Sequence, residues 1–211
     1  MRVGGEVERY DLTISTLQPP ALKFLLPEQL SPLLDAYPKR WLGCVCLVLK
    51  LKQPLMPYYA VNIADETPIT SAVETTQVVG TDHTDGLHLM YLPRYCAPDA
   101  PEQTEDDQSI YDRFTRQLAR MASGFRHEDV VDWTVQRAKL VEPVHGLGAG
   151  RNIAPIFPGV PGLALASNAQ IYPYLLNGDS VIRFAEEVAS QASERLRDGQ
   201  PAHEPREVAH A

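Results

Sequence analysis

The segment 41–52 constrains the fold of this chain more than any other. Its residues, Trp-Leu-Gly-Cys-Val-Cys-Leu-Val-Leu-Lys-Leu-Lys, form an almost continuous apolar run. An apolar run without polar alternation is typical of a strand that is covered on both faces. The sequence therefore predicts that this segment is an inner strand of a sheet.

Further strands are predicted on both sides of this segment. The runs 58–63, 71–79 and 87–92 follow it and are separated by Asp, Pro and Gly residues. Together with 41–52 they are four strands in sequence, which favours an antiparallel meander. A short run at 10–17 stops at two prolines, and the runs 130–140 and 163–166 complete the set. A Gly- and Pro-rich stretch, 142–162, is predicted to be a long loop.

Two longer helices are predicted in the second half of the chain. Ile110, Phe114, Leu118 and Met121 recur on one helical face after an acidic stretch, and Gly124 is the predicted stop. A second helix opens at 177–180 and runs to about residue 196. Proline accounts for 18 of 211 residues, so short elements joined by turns are expected, with brief helical turns at 21–26 and 30–34. The fold class predicted is α+β, with an antiparallel or mixed sheet and helices.

Charge and composition exclude several classes of function. With 27 acidic and 19 basic residues the formal net charge is −8, and no basic stripe is visible, which argues against a nucleic-acid partner. No apolar run approaches the ~20 residues of a membrane span, and the start of the chain lacks a signal-peptide pattern. A cytoplasmic protein without a transmembrane segment is therefore expected.

Neither the cysteines nor the histidines predict a metal site. Cys44, Cys46 and Cys96 have neither zinc-site nor thioredoxin-type spacing, and they are interpreted as reduced packing residues. The glycines at 146, 148 and 150 do not form a dinucleotide-binding motif. A motif that starts at Gly146 needs its third glycine at position 151, where this chain has Arg151. The motif also needs a helix after that glycine, and Pro155 prevents one. They are interpreted as turn glycines.

A strand, a loop and a helix N-terminus follow one another between residues 163 and 180. The unpaired N–H groups at the start of a helix suit an anionic or carbonyl-rich ligand. The same Asn, Asp and Ser residues are also common as purely structural caps, so this pattern alone leaves both interpretations open.

Six segments in sequence order give this pattern a context. They are residues 10–16 (Tyr-Asp-Leu-Thr-Ile-Ser-Thr), 41–49 (Trp-Leu-Gly-Cys-Val-Cys-Leu-Val-Leu), 54–63 (Pro-Leu-Met-Pro-Tyr-Tyr-Ala-Val-Asn-Ile), 89–95 (Leu-Met-Tyr-Leu-Pro-Arg-Tyr), 136–138 (Gln-Arg-Ala) and 161–173 (Pro-Gly-Leu-Ala-Leu-Ala-Ser-Asn-Ala-Gln-Ile-Tyr-Pro). Together, across roughly residues 5–195, they resemble the C-terminal half of flavin-dependent amine oxidase-like oxidoreductases, the protoporphyrinogen oxidase and desaturase branch.

The resemblance implies a domain organisation and a cofactor. Residues 1–37 would be the end of the flavin domain with connecting helices, 38–140 the substrate domain, 141–198 the returning segment of the Rossmann-like FAD-binding domain, and 199–211 a disordered tail. FAD would be the cofactor. The positions expected to hold it are Ser167, Asn168, Tyr172, Asn177, Gly178, Asp179 and Ser180.

On the substrate side, the resemblance implies a sheet that faces the reactive ring of the flavin. The residues expected to contact a small-molecule substrate are Tyr58, Tyr59, Asn62, Tyr91 and Tyr95. Tyrosines on a half-buried sheet are equally explained by packing with a satisfied hydroxyl. No catalytic residue is assigned, because flavin hydride chemistry often needs no protein acid or base.

Two functional hypotheses follow. The chain is either an oxidoreductase half that works with a Rossmann-type half, supplied by a separate chain or lost upstream by truncation, or a non-catalytic relative that binds a ligand or a partner. The second hypothesis is motivated by Asn168, which stands where the family has a carboxylate, and by the residues 174–178. An oligomer is expected if strands at 12–16 and 163–166 keep exposed edges.

Overall fold

The computed structural model describes residues 2–3, 6–7, 9–151 and 153–198, so the tail predicted to be disordered lies outside the described residues. The strands are β1 (Arg2–Val3), β2 (Glu6–Val7), β3 (Thr13–Ser15), β4 (Arg40–Leu51), β5 (Ala60–Asn62), β6 (Ser71–Glu74), β7 (His88–Cys96), β8 (Val130–Val144) and β9 (Leu163–Leu165). The α-helices are α1 (Pro19–Leu22), α2 (Thr76–Val79), α3 (Asp107–Met121) and α4 (Gly178–Arg197). Short 3-10 helices cover Glu28–Ala36, Pro101–Gln103, His127–Asp129, Ala149–Arg151 and Asn168–Gln170.

The chain divides into two units, one made of residues 1–40 with 142–211 and the other of residues 41–141. The second unit contains a five-stranded sheet with the order β5-β6-β7-β4-β8, here called the large sheet. The first unit contains the parallel pair β3–β9 and the antiparallel pair β1–β2. The predicted fold class is confirmed at this level, with an antiparallel sheet, helices and a separate strand–helix segment.

β4 is an inner strand, as the sequence predicts, because it lies between β7 and β8. Its side chains alternate in burial: Val45, Leu47 and Leu49 are fully buried, whereas Cys44 and Cys46 on the other face are half-buried. The continuous apolar run therefore reflects one buried face and one half-buried face.

The predicted meander is correct for β5-β6-β7 and wrong for β4. Instead of pairing with β5, β4 pairs with β7 from Gly43–Cys96 through Leu51–His88. Pairing over this length lets most backbone groups of β4 and β7 form hydrogen bonds with each other. A hairpin with the three-residue β5 would form far fewer. The chain between β4 and β5, residues 52–59, consequently passes the ends of β7 and β6; we call it the crossing segment.

The predicted strand 71–79 ends at Glu74, and α2 follows it. Val78 and Val79 are β-branched but strongly exposed. Their strand propensity is overridden because Glu74 and the residues after it bind the crossing segment instead of extending the sheet. Likewise the predicted strand 58–63 shortens to β5, and Tyr58 and Tyr59 lie on the crossing segment.

α3 covers the buried face of the large sheet. Asp106 caps it by accepting a hydrogen bond from the Ser109 N–H at 3.0 Å, and Ile110, Phe114 and Leu118 are fully buried against the sheet. The helix ends at Met121, earlier than the predicted stop at Gly124, and the Met121 side chain is 38% exposed.

β8 is longer than the predicted strand 130–140, since it continues through Val144. It runs antiparallel to β4: Gly43 lies beside Ala138, whereas Lys50 forms an ion pair with Asp132. The predicted loop 142–162 therefore begins after Val144 and includes one 3-10 turn.

In the first unit, β3 pairs with β9 from Thr13–Leu163 to Ser15–Leu165. Ala164 and Leu165 are buried, and α4 begins after its cap at Asn177, the residue at which the sequence predicts the helix to open. No helix in the described ranges has the length and apolarity needed to cross a membrane.

Candidate functional site

A cavity of about 570 Å³ lies at the start of α4, within the first unit. Three segments form its walls: residues 153–156, residues 170–177 and the first turns of α4. The described residues lining it are Ile153, Ala154, Pro155, Ile156, Gln170, Ile171, Tyr172, Tyr174, Leu175, Asn177, Asp179, Ser180, Arg183, Phe184, Glu187 and Gln191. Both the volume and the mixture of apolar walls with a few polar groups are typical of small-molecule sites.

The wall at 153–156 is fixed by hydrogen bonds to the strand–loop segment that precedes α4. The N–H of Leu165 donates to the Ile156 carbonyl at 2.7 Å, and Nε2 of the buried Gln170 donates to the Ala154 carbonyl at 3.0 Å. These bonds join residues that are distant in the sequence, which places the apolar wall opposite the helix.

A reciprocal cap defines where α4 starts. Oδ1 of Asn177 accepts from the Ser180 N–H at 2.9 Å, and the Asn177 N–H donates to Ser180 Oγ at 3.1 Å. Ser180 Oγ also donates to the Leu175 carbonyl at 2.7 Å. The positive end of the helix dipole therefore lies beside the cavity, where it favours a carbonyl-rich or anionic group.

One side of α4 continues the lining beyond the cap. Arg183, Phe184, Glu187 and Gln191 follow Ser180 at intervals of three and four residues, so they share a helical face. Arg183 forms an ion pair with Asp179 at 3.1 Å, which balances the acid nearest the helix start. These four residues are not among those predicted from the sequence. The helical period places them on the face of Ser180, but it does not say that this face meets residues 153–156.

Tyr172 lines the cavity and also packs against His145, with ring centroids 4.7 Å apart. Burial lowers the pKa of His145, so its neutral form is favoured at this contact. A Cβ atom at Gly150 would come within 3.2 Å of the Tyr172 ring. The glycine at this position therefore allows close approach of the backbone and the ring.

Ser167 and Asn168 are placed differently from the other predicted cofactor residues. Ser167 is 4% exposed, and its Oγ accepts from the Ala169 N–H at 3.2 Å and donates to Gln18 Oε1 at 3.1 Å. Asn168 begins the following 3-10 turn, and Gly178 is the first residue of α4. Of the predicted set, the cavity brings together Tyr172, Asn177, Asp179 and Ser180.

The half-buried face of the large sheet, here called the open face, carries predicted substrate residues. Cross-strand partners share a face, and Tyr91 lies opposite Val48 and Val73, while Asn62 lies opposite Ser71. Tyr95 lies opposite Cys44 on the same face. Tyr58 and Tyr59 are instead on the crossing segment, where they are 65% and 50% exposed.

The open face is uncharged over the positions that carry these residues. The described side chains of its cross-strand rows are Val48, Tyr91, Val73 and Ala60, then Cys46, Pro93, Ser71 and Asn62, then Cys44 and Tyr95. Along β4, charged residues of this face lie at the two ends of the strand, at Arg40 and at Lys50, which pairs with Asp132 at 3.0 Å. Among the residues that the structure describes, no three His, Cys, Asp or Glu side chains are grouped to hold a metal ion.

Burial raises the pKa of the Cys46 thiol to about 12, which predicts an unreactive cysteine on this face. The thiolate is the nucleophile, and it forms only as pH rises toward the pKa. At pH 8 we expect iodoacetamide to label Cys46 more than about a hundredfold more slowly than a free cysteine of pKa ~8.5. Mass spectrometry of the labelled peptide, with the guanidinium-unfolded chain as control, measures this ratio. Equal rates in the folded and unfolded chains would contradict the prediction.

Comparison of the sequence with protein-family models and with curated proteins finds no match. Solved structures do match the fold. A putative protoporphyrinogen oxidase from Exiguobacterium sp. 255-15 matches with a TM-score of 0.62 and 16% identity over 87% of this chain and 41% of its own. An oxidoreductase from Methanosarcina mazei matches with a TM-score of 0.63 and 16% identity over 89% of this chain and 44% of its own. Reduced UDP-galactopyranose mutase matches with a TM-score of 0.65 and 14% identity over 90% of this chain and 43% of its own.

The match covers nearly all of this chain and less than half of each of these proteins. At identities of 14–16% it is a likeness of fold. The chain therefore has the fold of one part of larger proteins that include two described as oxidoreductases.

Proposed function

We propose that this chain supplies the substrate domain and the flavin-closing segment of an FAD-dependent oxidoreductase. The observation that carries the proposal is the cavity at the capped start of α4, in a fold shared with part of larger oxidoreductases. In this proposal residues 38–140 are the substrate domain, and residues 1–37 and 141–198 belong to the flavin domain.

The residues at the cavity fit a flavin. The first N–H groups of α4 and the Asn177 amide offer donors to a carbonyl-rich ring, and Tyr172 offers an aromatic surface. Asp179 carries a carboxylate that would repel electron-rich oxygen atoms, and its ion pair with Arg183 reduces this repulsion. When bound, FAD supplies the redox step by accepting a hydride from the substrate.

The chain's own residues would bind and shield the cofactor and orient the substrate. The helix start and its cap bind the polar edge of the cofactor, whereas Ile153, Ile171 and Phe184 form apolar wall around it. On the substrate side, the uncharged open face favours a small, neutral, largely apolar organic substrate. The hydroxyls of Tyr91 and Tyr95 and the Asn62 amide are suited to orient it by hydrogen bonds.

A nucleotide-binding half of Rossmann type is part of this proposal. β3 and β9 form a parallel pair of three residues each, and parallel sheets are stable when further strands and helices cover them. Ile14 on β3 is 42% exposed, and Val181 and Ile182 on α4 are 43% and 62% exposed. These strand edges and apolar side chains are what such a half would cover.

The second candidate function is a non-catalytic binding protein, and the placement of Ser167 favours it. Its hydroxyl is buried and bonded to Gln18 and Ala169, and the next residue, Asn168, replaces the carboxylate that the resemblance leads one to expect. In this alternative the cavity at α4 holds another small ligand, and FAD does not bind.

A cavity-filling variant tests the proposal. Leu175 lines the cavity and is 78% exposed, so Leu175→Trp should fill the site without disturbing a core. We expect it to weaken FAD binding by roughly tenfold or more, a loss of about 1.4 kcal/mol. The measurement is titration of flavin absorbance, with the full chain alone and with an added Rossmann-type half.

Leu147→Trp is the matched control, because Leu147 is fully exposed and is outside the described cavity lining. FAD affinity should be unchanged in this variant. Equal effects of Leu175→Trp and Leu147→Trp on FAD affinity would show that the cavity is not the flavin site. If FAD binds neither to the full chain alone nor to the chain with the added Rossmann-type half, the oxidoreductase proposal is rejected and the non-catalytic binding protein is favoured.

A further inference from the structure

The crossing segment is held by an unusual buried acid. Glu74 is the last residue of β6, and its side chain is 0% exposed. Oε2 accepts from the Met56 N–H at 2.8 Å and from the Leu55 N–H at 3.1 Å, and Oε1 accepts from Gln77 Nε2 at 3.1 Å. Nδ1 of His88 lies 3.5 Å from Oε1. The carboxylate thus accepts hydrogen bonds from the crossing segment and from α2, and the His88 ring at the start of β7 lies beside it.

Gln77 extends the same network from α2. Its Nε2 donates to the Met56 carbonyl at 2.7 Å as well as to Glu74. Met56 is therefore bound through both its N–H and its carbonyl by two neighbouring side chains. This network gives α2 a role, since its first turn places Gln77 beside the end of β6.

The network reaches the tyrosines through the backbone. The Glu74 N–H donates to the Tyr59 carbonyl at 2.7 Å. Glu74 therefore holds the crossing segment on both sides of Tyr58, by its side chain at Leu55 and Met56 and by its backbone at Tyr59. Tyr58 and Tyr59 themselves are exposed, so core packing of their rings does not determine where they lie.

A buried carboxylate is a costly way to anchor a loop. Removing a charge from water is unfavourable unless several hydrogen bonds compensate it, and apolar residues of similar volume often give equal or better stability. What the carboxylate adds is direction, because each donor has to lie at a set distance and angle. Directed hydrogen bonds of this kind hold the crossing segment in one conformation, which apolar packing alone would define less closely.

We infer that Glu74 and Gln77 are positioning residues that hold Tyr58 and Tyr59 in place at the edge of the large sheet. The anchoring itself depends only on the contacts described above. The consequence for substrate binding rests on the proposed function, in which these tyrosines contact the substrate.

Hydrogen exchange of the full chain tests the anchor. Glu74→Gln removes the negative charge and replaces one of the two accepting oxygens by an NH₂ group, which cannot accept a hydrogen bond. We expect the amides of Leu55 and Met56 to exchange roughly tenfold faster or more, as loss of a charge-assisted hydrogen bond implies. The amides of β4 and β7 should change much less. If Glu74→Gln does not fold, Gln77→Ala removes half of the network and is measured in the same way.

Gln103→Leu is the matched control. Gln103 is also buried and polar in the same unit, but its Nε2 donates to the Ala138 carbonyl, at the other end of β4. This variant should not selectively accelerate exchange at Leu55 and Met56. Equal acceleration of all amides in Glu74→Gln would show general destabilisation and overturn the inference.

The exchanged pair Glu74→Gln with Gln77→Glu provides a rescue. It returns one carboxylate and one amide to the network, whereas each single variant has two of the same kind. The rescue is partial, because a carboxylate at position 77 cannot donate to the Met56 carbonyl as Gln77 does. Protection of Leu55 and Met56 should be partly restored relative to both single variants. Additive loss in the double variant would overturn the inference. Hydrogen exchange needs no flavin, so the two proposals can fail separately. Faster exchange at Leu55 and Met56 in Glu74→Gln, together with failure of the wild-type chain to bind FAD, would support the anchoring and reject the proposed function.

Discussion

Replacing Gly43 by valine is expected to destabilise the unit 41–141 by about 3 kcal/mol or more. A Cβ atom at Gly43 would lie 2.8 Å from the Ala138 carbonyl oxygen and 2.6 Å from Gln103 Nε2. The glutamine side chain can move, but the carbonyl belongs to β8, which pairs with β4 at this point. The added side chain must therefore separate two strands of the large sheet.

Guanidinium unfolding followed by circular dichroism measures the effect, and Gly124→Ala is its control. Gly124 is in the same unit, and a Cβ atom there meets only Leu55 Cδ1 at an ordinary 3.9 Å. We expect this variant to remain within about 1 kcal/mol of the wild type. A stable Gly43→Val protein with an unchanged midpoint would show that β8 does not approach β4 so closely.

Replacing Phe114 by alanine is expected to lower the free energy of unfolding by about 3–5 kcal/mol. Phe114 is fully buried in α3 and packs in the same core as Val45, Leu47 and Leu49 of β4. Removing the ring leaves a cavity between helix and sheet that rigid strands cannot close.

The matched control for Phe114 is Met121→Ala on the same helix. Met121 is 38% exposed in the last turn, so its truncation should cost much less, about 1 kcal/mol or below. The same unfolding experiment compares the two. Similar losses for both variants would contradict the assignment of Phe114 to the core and Met121 to the margin of α3.

Several elements could be predicted from the sequence because their signals are local. The apolar run of β4, the periodic face of α3 and the Asn177 cap of α4 each depend on residues that are close in the chain. For the candidate site, the local cap signal located the start of α4, and Asn177, Asp179 and Ser180, which the resemblance assigns to the cofactor, line the cavity there.

The rest of the site depends on contacts between distant segments. Arg183 and Glu187 share a helical face with Ser180, but local sequence does not say which face of α4 meets residues 153–156. That is decided by the bonds from Leu165 and Gln170 to the 153–156 wall. The resemblance predicts Ser167 to be a cofactor residue, and only the structure shows that its hydroxyl donates to Gln18.

The sequence by itself determined the character of the elements: an inner strand at β4, an amphipathic α3 and a capped α4. Tertiary structure alone decided the order of the large sheet, the end of β6 at Glu74 and the path of the crossing segment. The physical reason is that propensity, periodicity and capping act over a few residues. Strand order, by contrast, is set by which long pairings bury the most surface and satisfy the most hydrogen bonds. The Glu74 network is the clearest case, because Leu55 and Met56, which donate to the carboxylate, lie 19 and 18 residues before it and only the folded sheet brings them to it.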